Sequence, residues 1–263
     1  MTYSVITINY NNRDGLRSTI ESVVGQTSQD YEYIVIDGGS TDGSAEVIKE
    51  YEKSIDYWVS EPDRGIYHAM NKGVAQAHGE YCIFMNSGDI FYDDSVLDVI
   101  RNLGFEEDIV VGKVVANDGY LQLFLPPSRD ISLYYLYSGT VPHQGSFIKT
   151  DLLRRIPYDE NLRIVSDWKF FLEAIIISNC SVRYVDEFVS KFDKNGVSTS
   201  NPGQMWKEKE YVLSKQFPPR VLVDYQHMKE SECLTQTLSP QLRLHYRIDK
   251  LLYKLGTIIL KFV

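Results

Sequence analysis

Gly79-Glu80-Tyr81-Cys82-Ile83-Phe84-Met85-Asn86-Ser87-Gly88-Asp89 is the stretch on which the fold turns. Tyr81 to Met85 is a short apolar run, the pattern of a strand buried on both faces. It stops abruptly in a polar turn that ends on one carboxylate, Asp89. A strand that delivers Asn, Ser, Gly and Asp at its carboxyl end is placing ligands rather than packing a core. The alternative for Asp89 is a cap on a helix starting near Asp93-Asp94-Ser95.

Three similar units precede this strand. Ser4 to Ile8 is β-branched and apolar and runs into Asn9-Tyr10-Asn11-Asn12; Tyr33 to Ile36 stops at Asp37-Gly38-Gly39; Tyr57-Trp58-Val59 ends at Glu61-Pro62-Asp63-Arg64-Gly65. Helical spacing separates them, with Leu16, Ile20 and Val23, then Val47, Ile48 and Tyr51, then Ile66, Met70 and Val74 on the apolar faces. Strand, helix, strand, helix predicts a mainly parallel sheet flanked by helices, and such sheets bind ligands beyond the carboxyl ends of their strands. Those ends carry Asn9 and Tyr10, then Asp37, then Asp63, then Asn86 to Asp89. Any one of these acids alone reads as a turn residue; their joint occurrence at one sheet edge predicts a site.

The second half is less regular. Ile109 to Ala116 and Tyr120 to Leu125 flank Asn117-Asp118-Gly119, which predicts a hairpin. Pro142-His143-Gln144-Gly145 precedes a strand over Ser146 to Lys149; Ser166-Asp167-Trp168 opens an amphipathic helix; Val182 to Phe192 reads as a strand running into Asp193-Lys194-Asn195-Gly196-Val197-Ser198.

With 263 residues, 43% hydrophobic and 24% charged, the chain has the composition of a globular protein of one large α/β domain or two small ones. A net charge of −9 argues against a nucleic-acid partner. The three cysteines, Cys82, Cys180 and Cys233, are far apart and have no metal-ligand or redox spacing, which fits a reduced, cytoplasmic compartment. No signal peptide is expected from the first residues, which begin directly with a strand pattern, and no apolar run approaches the roughly 18 residues that span a bilayer.

The last two dozen residues differ from the acidic body. Leu244, Ile248, Leu251, Leu252, Leu255, Ile258 and Ile259 recur at three and four, opposite a stripe of Arg243, Arg247, Lys250, Lys254 and Lys261. This pattern suits a helix lying in the plane of an anionic membrane; a helix docked on the domain or pairing in a homodimer is the alternative.

Taken together, these residues resemble the family 2 glycosyltransferases of the GT-A fold. The matching pieces are Ile8-Asn9-Tyr10-Asn11, Val35-Ile36-Asp37-Gly38-Gly39-Ser40-Thr41-Asp42-Gly43-Ser44, Gly65-Ile66-Tyr67-His68-Ala69-Met70-Asn71-Lys72-Gly73 and Asn86-Ser87-Gly88-Asp89. Pro142-His143-Gln144-Gly145 and Ser166-Asp167-Trp168 look like acceptor-side motifs of members that build bacterial surface polysaccharides. The resemblance covers roughly residues 3 to 200. It implies an α/β GT-A domain over 1–225, with a nucleotide-binding half at about 1–100 and an acceptor half at about 101–225. The C-terminal amphipathic helical tail would occupy 226–263.

The resemblance further implies inverting transfer of a hexose or N-acetylhexosamine from a UDP-sugar, with Mn2+ or Mg2+. Asp37 matches the residue that binds the base and ribose, and Asp63 with Gly65 matches the segment lining the nucleotide pocket. Asn9, Tyr10, Asn71, Lys72, Ser87 and Gly88 fall on the donor side, although Lys72 reads equally as a solvated helix lysine. Asp89 matches the last acid of the metal-binding motif; Asn86 and Gly88 stand where further acids often occur, leaving one carboxylate to hold the ion. Asp167 matches the catalytic base, and a helix cap is its plain alternative. His143, Gln144 and Trp168 fall on the acceptor side, His143 as an acceptor contact, a metal or phosphate ligand or a structural loop residue, and Trp168 as a sugar platform or a helix anchor. Ser198 would belong to a segment closing over the diphosphate.

The implied partners are a UDP-sugar and a polyprenyl-diphosphate-linked saccharide, met by a peripheral enzyme on the inner face of the cell membrane. Transfer to polyprenyl phosphate itself ranks lower, because that group usually keeps a fuller acidic motif. A catalytically silent nucleotide-sugar-binding protein is the non-enzymatic reading. A sugar-1-phosphate nucleotidyltransferase would need a Gly-rich, Arg-containing loop after the first strand, and Asn9-Tyr10-Asn11-Asn12 is not one.

Overall fold

The structure, a computed structural model, describes residues 3–116, 123–124, 131–193 and 201–237. The chain divides into two compact units, Met1–Glu210 and Tyr211–Val263. The boundary expected after residue 225 falls inside a helix, Pro219–Thr237. The basic amphipathic segment over 243–261 lies outside the described residues.

The first unit is built on one mixed sheet in the order β3-β2-β1-β4-β8-β6-β9-β5, with β7 paired to β6. β1 (Tyr3–Asn9) is buried along its whole length, as its unbroken run of apolar and small polar residues requires. It pairs in parallel with β2 (Tyr31–Asp37) on one side and with β4 (Tyr81–Phe84) on the other, and β3 (Tyr57–Ser60) extends the parallel part beyond β2. The chain therefore winds outward from β1 in one direction through β2 and β3, and then returns to its other side with β4. A crevice opens at such a reversal, outside the carboxyl ends of the two strands.

α1 (Arg13–Val24) follows β1. Asn12 caps it by accepting a hydrogen bond from the Gly15 N–H, and Leu16, Ile20 and Val23 bury its apolar face. α2 (Ser44–Glu50) and α3 (Ile66–Gln76) follow β2 and β3. Tyr3, Val5, Tyr33, Val35, Tyr81 and Ile83 share one core cluster with the α1 face. Each such fully buried aliphatic or aromatic side chain contributes about 1.5–3 kcal/mol.

Past β4 the sheet changes character. β8 (Ser146–Lys149) runs antiparallel to β4, β6 (Ile109–Ala116) runs antiparallel to β8, and β9 (Val182–Phe192) runs parallel to β6. These directions return the start of β8 and the end of β9 to the same edge as the carboxyl ends of β1, β2 and β4. The expected hairpin appears in the pairing of β6 with β7 (Leu123–Phe124), while its turn, 117–119, lies outside the described residues. Shorter pieces complete the unit: β5 (Ile90–Phe91), which pairs with β9, and the helices α4 (Val96–Asn102), α5 (Leu133–Ser138) and α6 (Thr150–Arg155). α7 (Ser166–Phe171) continues as a π-helical stretch, Leu172–Ile177, and α8 (Pro202–Gln216) follows β9. Among the described residues no helix is long and apolar enough to cross a membrane.

Candidate active site

Three groups of side chains occupy the carboxyl edge, in the order of the strands that deliver them. At the end of β1 and β2, Asn9 stands opposite Asp37 in register and donates to its Oδ1 at 2.7 Å. Asp37 also accepts from the Ser40 hydroxyl (2.6 Å), the Ser40 N–H (2.9 Å) and the Ser60 hydroxyl (2.5 Å). Burial alone would raise the pKa of this carboxyl, but those hydrogen bonds hold it below the usual range. Asp37 thus ties three strand ends together. A Cβ placed on Gly38 would lie 2.6 Å from Asp63 Oδ2 and 3.1 Å from the Tyr10 ring, so Tyr10 and Asp63 converge over that glycine. Asp63 also accepts from the Gly65 N–H at 2.8 Å, and Tyr10 is 67% exposed. An open aromatic face beside two carboxylates and a bare backbone fits the base and ribose of a nucleotide.

The middle of the edge is the turn after β4. Asn12 Nδ2 donates to the Ser87 carbonyl at 2.9 Å, and the Thr19 hydroxyl reaches the Asp89 carbonyl (2.7 Å) and accepts from the Gly88 N–H (2.9 Å). Gly88 has φ +104°, a conformation glycine adopts without strain. Asp89 is 4% exposed, and its Oδ1 accepts from the Asp193 N–H at 3.0 Å. Burial pushes its pKa up to about 6, against the opposing charge of His143 and the hydrogen bonds from Asp193 and Gln144. Among the described residues no group of three or more His, Cys, Asp or Glu is placed to hold a metal. Asp89 is the one carboxylate of this turn, so a hard cation there would have to draw most of its oxygen ligands from elsewhere than the protein.

The third group joins the two halves of the sheet. His143 precedes β8, and its Nδ1 lies 3.0 Å from Asp167 Oδ2; Tyr67 on α3 donates to Asp167 Oδ1 at 3.0 Å. The other ring nitrogen of His143, Nε2, lies 3.2 Å from the side-chain amide of Asn86. Burial would lower the His143 pKa, but the hydrogen bond and charge of Asp167, with the charge of Asp89, raise it. Burial would likewise raise that of Asp167, and His143, the Trp168 N–H and the Tyr67 hydroxyl together hold it below the usual range. Each group thus shifts the other toward its charged form. Asn86 Oδ1 is buried without a partner as the amide is oriented. Turning the amide over lets Oδ1 accept the Nε2–H of the charged ring.

The remaining expected residues stand as follows. Trp168 is 2% exposed and its Nε1 donates to the Leu136 carbonyl at 2.8 Å, so it anchors its helix and presents no sugar platform. Asn71 bridges to the Tyr158 carbonyl (2.9 Å), the Tyr158 N–H (3.0 Å) and Glu160 (3.1 Å), which spends its amide on joining α3 to the segment before α7. Lys72 pairs with Glu61 at 3.0 Å. Gln144 reaches the Asp89 carboxyl, and so meets the middle group as well as the acceptor side. Ser198 lies outside the described residues.

Residues that the motifs did not single out also shape the site. Thr19 is the clearest case, and its signal was a polar residue set in the buried stripe of Leu16, Ile20 and Val23. Tyr67 and Asn12 lie inside or beside the motifs and take their roles only from partners far along the chain.

Known proteins resemble this chain in sequence and in fold. The sequence matches glycosyl transferase family 2 over residues 4–151. The chain belongs to that family. An uncharacterized glycosyltransferase of Mycobacterium tuberculosis is 34% identical over 211 residues, covering 75% of this chain and 77% of the relative. Among solved structures, S. aureus TarS 1–349 in complex with UDP-GlcNAc superposes with a TM-score of 0.63 at 21% identity, over 76% of this chain and 61% of that one. Mannosyltransferase PcManGT from Pyrobaculum calidifontis, in complex with GDP-Man and Mn2+, gives a TM-score of 0.54 at 18% identity, over 72% and 56%. The chain spans less than two thirds of each of those solved chains. The fold is accordingly GT-A, and the family 2 enzyme is a glycosyltransferase.

Proposed function

We propose that this family 2 enzyme transfers a hexose or N-acetylhexosamine from a UDP-sugar, with inversion, to a hydroxyl of a polyprenyl-diphosphate-linked saccharide in surface polysaccharide assembly. The observation that carries the reading is the Tyr67–Asp167–His143–Asn86 chain, which sets one ionised carboxylate beside the edge where Asp37, Asp63 and Asp89 gather. The UDP-GlcNAc complex of a structure with the same fold supports the class of donor.

In this reading the nucleoside lies over Tyr10, Gly38 and Asp63, and the diphosphate crosses the turn over Ser87 and Gly88. Mn2+ or Mg2+, held by Asp89, would neutralise the charge that develops on the departing diphosphate. A lone pair on the acceptor oxygen attacks the anomeric carbon from the opposite face. The bond to the β-phosphate oxygen breaks with its electrons passing to UDP, and Asp167 takes the hydroxyl proton. A carboxyl held below its usual pKa is a weak base toward a resting alcohol. It becomes sufficient as the new bond forms and the hydroxyl acidifies, and His143 keeps it free of a proton until then. The basic segment at 243–261 would bring the enzyme to the anionic inner face of the membrane, where the acceptor lies.

The test is UDP release from a panel of UDP-sugars, with and without Mn2+, using membrane extract as the source of acceptor. One donor giving Mn2+-stimulated, extract-dependent release is expected; UDP binding without turnover of any donor overturns the reading. Deleting residues 240–263 should abolish sedimentation with anionic vesicles, and unchanged sedimentation removes the membrane part.

A further inference from the structure

Glu208 on α8 is 7% exposed, yet no cation among the described ion pairs meets it. Its Oε2 accepts from three successive backbone N–H groups, those of Arg163 (3.2 Å), Ile164 (2.9 Å) and Val165 (3.3 Å). Its Oε1 accepts from Arg163 N–H (3.1 Å) and from the Gln204 side-chain amide (3.1 Å). Successive amides pointing at one spot form a cradle for an anion, and here the anion is the chain's own. The next two residues after the cradle are Ser166 and Asp167. Lys209, also buried, donates to the Gly139 carbonyl at 2.9 Å and lies 4.8 Å from the Trp168 ring centroid. Two adjacent charges on α8 therefore hold the backbone just before Asp167 and the side chain just after it.

We infer that Glu208 is a positioning residue for Asp167. Its carboxylate fixes the 163–165 turn and so sets where the Asp167 oxygens stand relative to His143 and Tyr67. A buried carboxylate that only stabilised α8 would not need to collect three N–H groups from the one turn that leads into Asp167. Catalysis is sensitive to such placement because a carboxylate moved by a fraction of an ångström no longer reaches both its partners and the substrate hydroxyl. The catalytic part of this inference rests on the function proposed above; the placement part does not.

Three substitutions separate the possibilities. Glu208→Gln keeps a carbonyl oxygen for the three N–H groups, Glu208→Asp keeps the charge but withdraws it by one methylene, and Asp167→Asn removes the group being positioned. The first readout needs no reaction: the titration midpoint of the His143 ring, followed by NMR. The groups facing that ring are Asp167 from α7 and Asn86 and Asp89 from the turn after β4. Glu208→Asp should lower the midpoint toward that of an ordinary histidine, and Glu208→Gln should leave it near the wild-type value. A Glu208→Asp protein that is folded and has an unmoved midpoint overturns the inference.

The second readout is turnover with the donor that the panel identifies. Glu208→Asp should lower kcat tenfold or more with the donor KM within twofold, and Glu208→Gln should restore kcat to within about threefold. In the Asp167→Asn background Glu208→Asp should cause no further loss, because both act through one group. Multiplying losses, or a rise in donor KM instead of a fall in kcat, also overturns it. If Asp167→Asn lowers the His143 midpoint but leaves transfer intact, the base assignment fails while the positioning role stands.

Discussion

Nδ1 of His143 stands 3.0 Å from Oδ2 of Asp167, and the two side chains are only 16% and 19% exposed. They come from segments on either side of β8 and α6, and each shifts the other's proton affinity in the direction that keeps both charged. Asp167→Asn keeps the shape but removes the charge and the base. General-base groups contribute typically 10²–10⁴ to a rate, so UDP-sugar turnover should fall by a factor in that range. UDP affinity measured by calorimetry should stay within about twofold, since the proposed role of Asp167 is toward the acceptor hydroxyl and not the nucleotide.

His143→Asn removes the positive partner. The carboxyl of Asp167 then loses the largest influence holding its pKa down, and the acidic limb of the rate profile should move to higher pH. The pair also stabilises the fold over a definite window. The contribution of Asp167 is present above its unfolded pKa and is lost as pH falls through its depressed folded value. That of His143 is present below its unfolded pKa and is lost as pH rises through its elevated folded value. Urea titrations should show the His143→Asn deficit at its greatest between about pH 4 and 6.5, the reference pKa values of the two groups. An unmoved acidic limb would dissociate His143 from the state of Asp167.

Asp89 gives the opposite sign. Its folded pKa, raised to about 6, exceeds the unfolded value, so without a cation the folded state loses stability as pH rises from about 4 to 6. The cost at neutral pH is up to roughly 3 kcal/mol, at about 1.4 kcal/mol for each tenfold change in proton affinity. Asp89→Asn should therefore raise the thermal midpoint of the metal-free protein at pH 7.5 and leave it nearly unchanged at pH 4.5. Mn2+ with UDP should raise the midpoint of the wild type at pH 7.5 by more than at pH 5, and should do little for Asp89→Asn. Equal Mn2+ effects on both proteins would place the ion elsewhere.

Thr19→Val keeps the shape of the side chain but removes the hydroxyl that serves both Gly88 N–H and the Asp89 carbonyl. An orphaned buried N–H costs about 1–3 kcal/mol, which urea denaturation should recover. Because the same hydroxyl pins the turn that carries Asp89, the apparent affinity for Mn2+ should weaken as well. A stability loss with unaltered Mn2+ affinity would limit Thr19 to the fold.

The parallel part of the sheet was legible from residues because its strands are short apolar runs that stop at polar turns. Ile34-Val35-Ile36 before Asp37 and Cys82-Ile83-Phe84 before Asn86 have little other reading. The convergence at one edge was legible for the same reason. The contacts that complete the site were not. His143 and Asp167 are 24 residues apart, and Tyr67 and Asp167 are 100 apart. No local pattern joins such pairs; only the antiparallel return of β8 does. Trp168 was equally ambiguous, since an aromatic residue at a helix start is either platform or anchor until burial is known. Glu208 resembles any helix glutamate until its three backbone partners are seen, and β5, two residues long, is below what periodicity detects.

The junction between β4 and β8 rests on two registered pairs, Tyr81 with Lys149 and Cys82 with Ile148. On one side of it strands β1, β2 and β4 pair with one another within the first 84 residues. On the other side β8 follows His143 and pairs with β6, while Asp167 lies beyond α6. The consequence is one of register: sliding β8 by one residue along β4 would turn its side chains to the opposite faces of the sheet and shift His143 relative to Asn86.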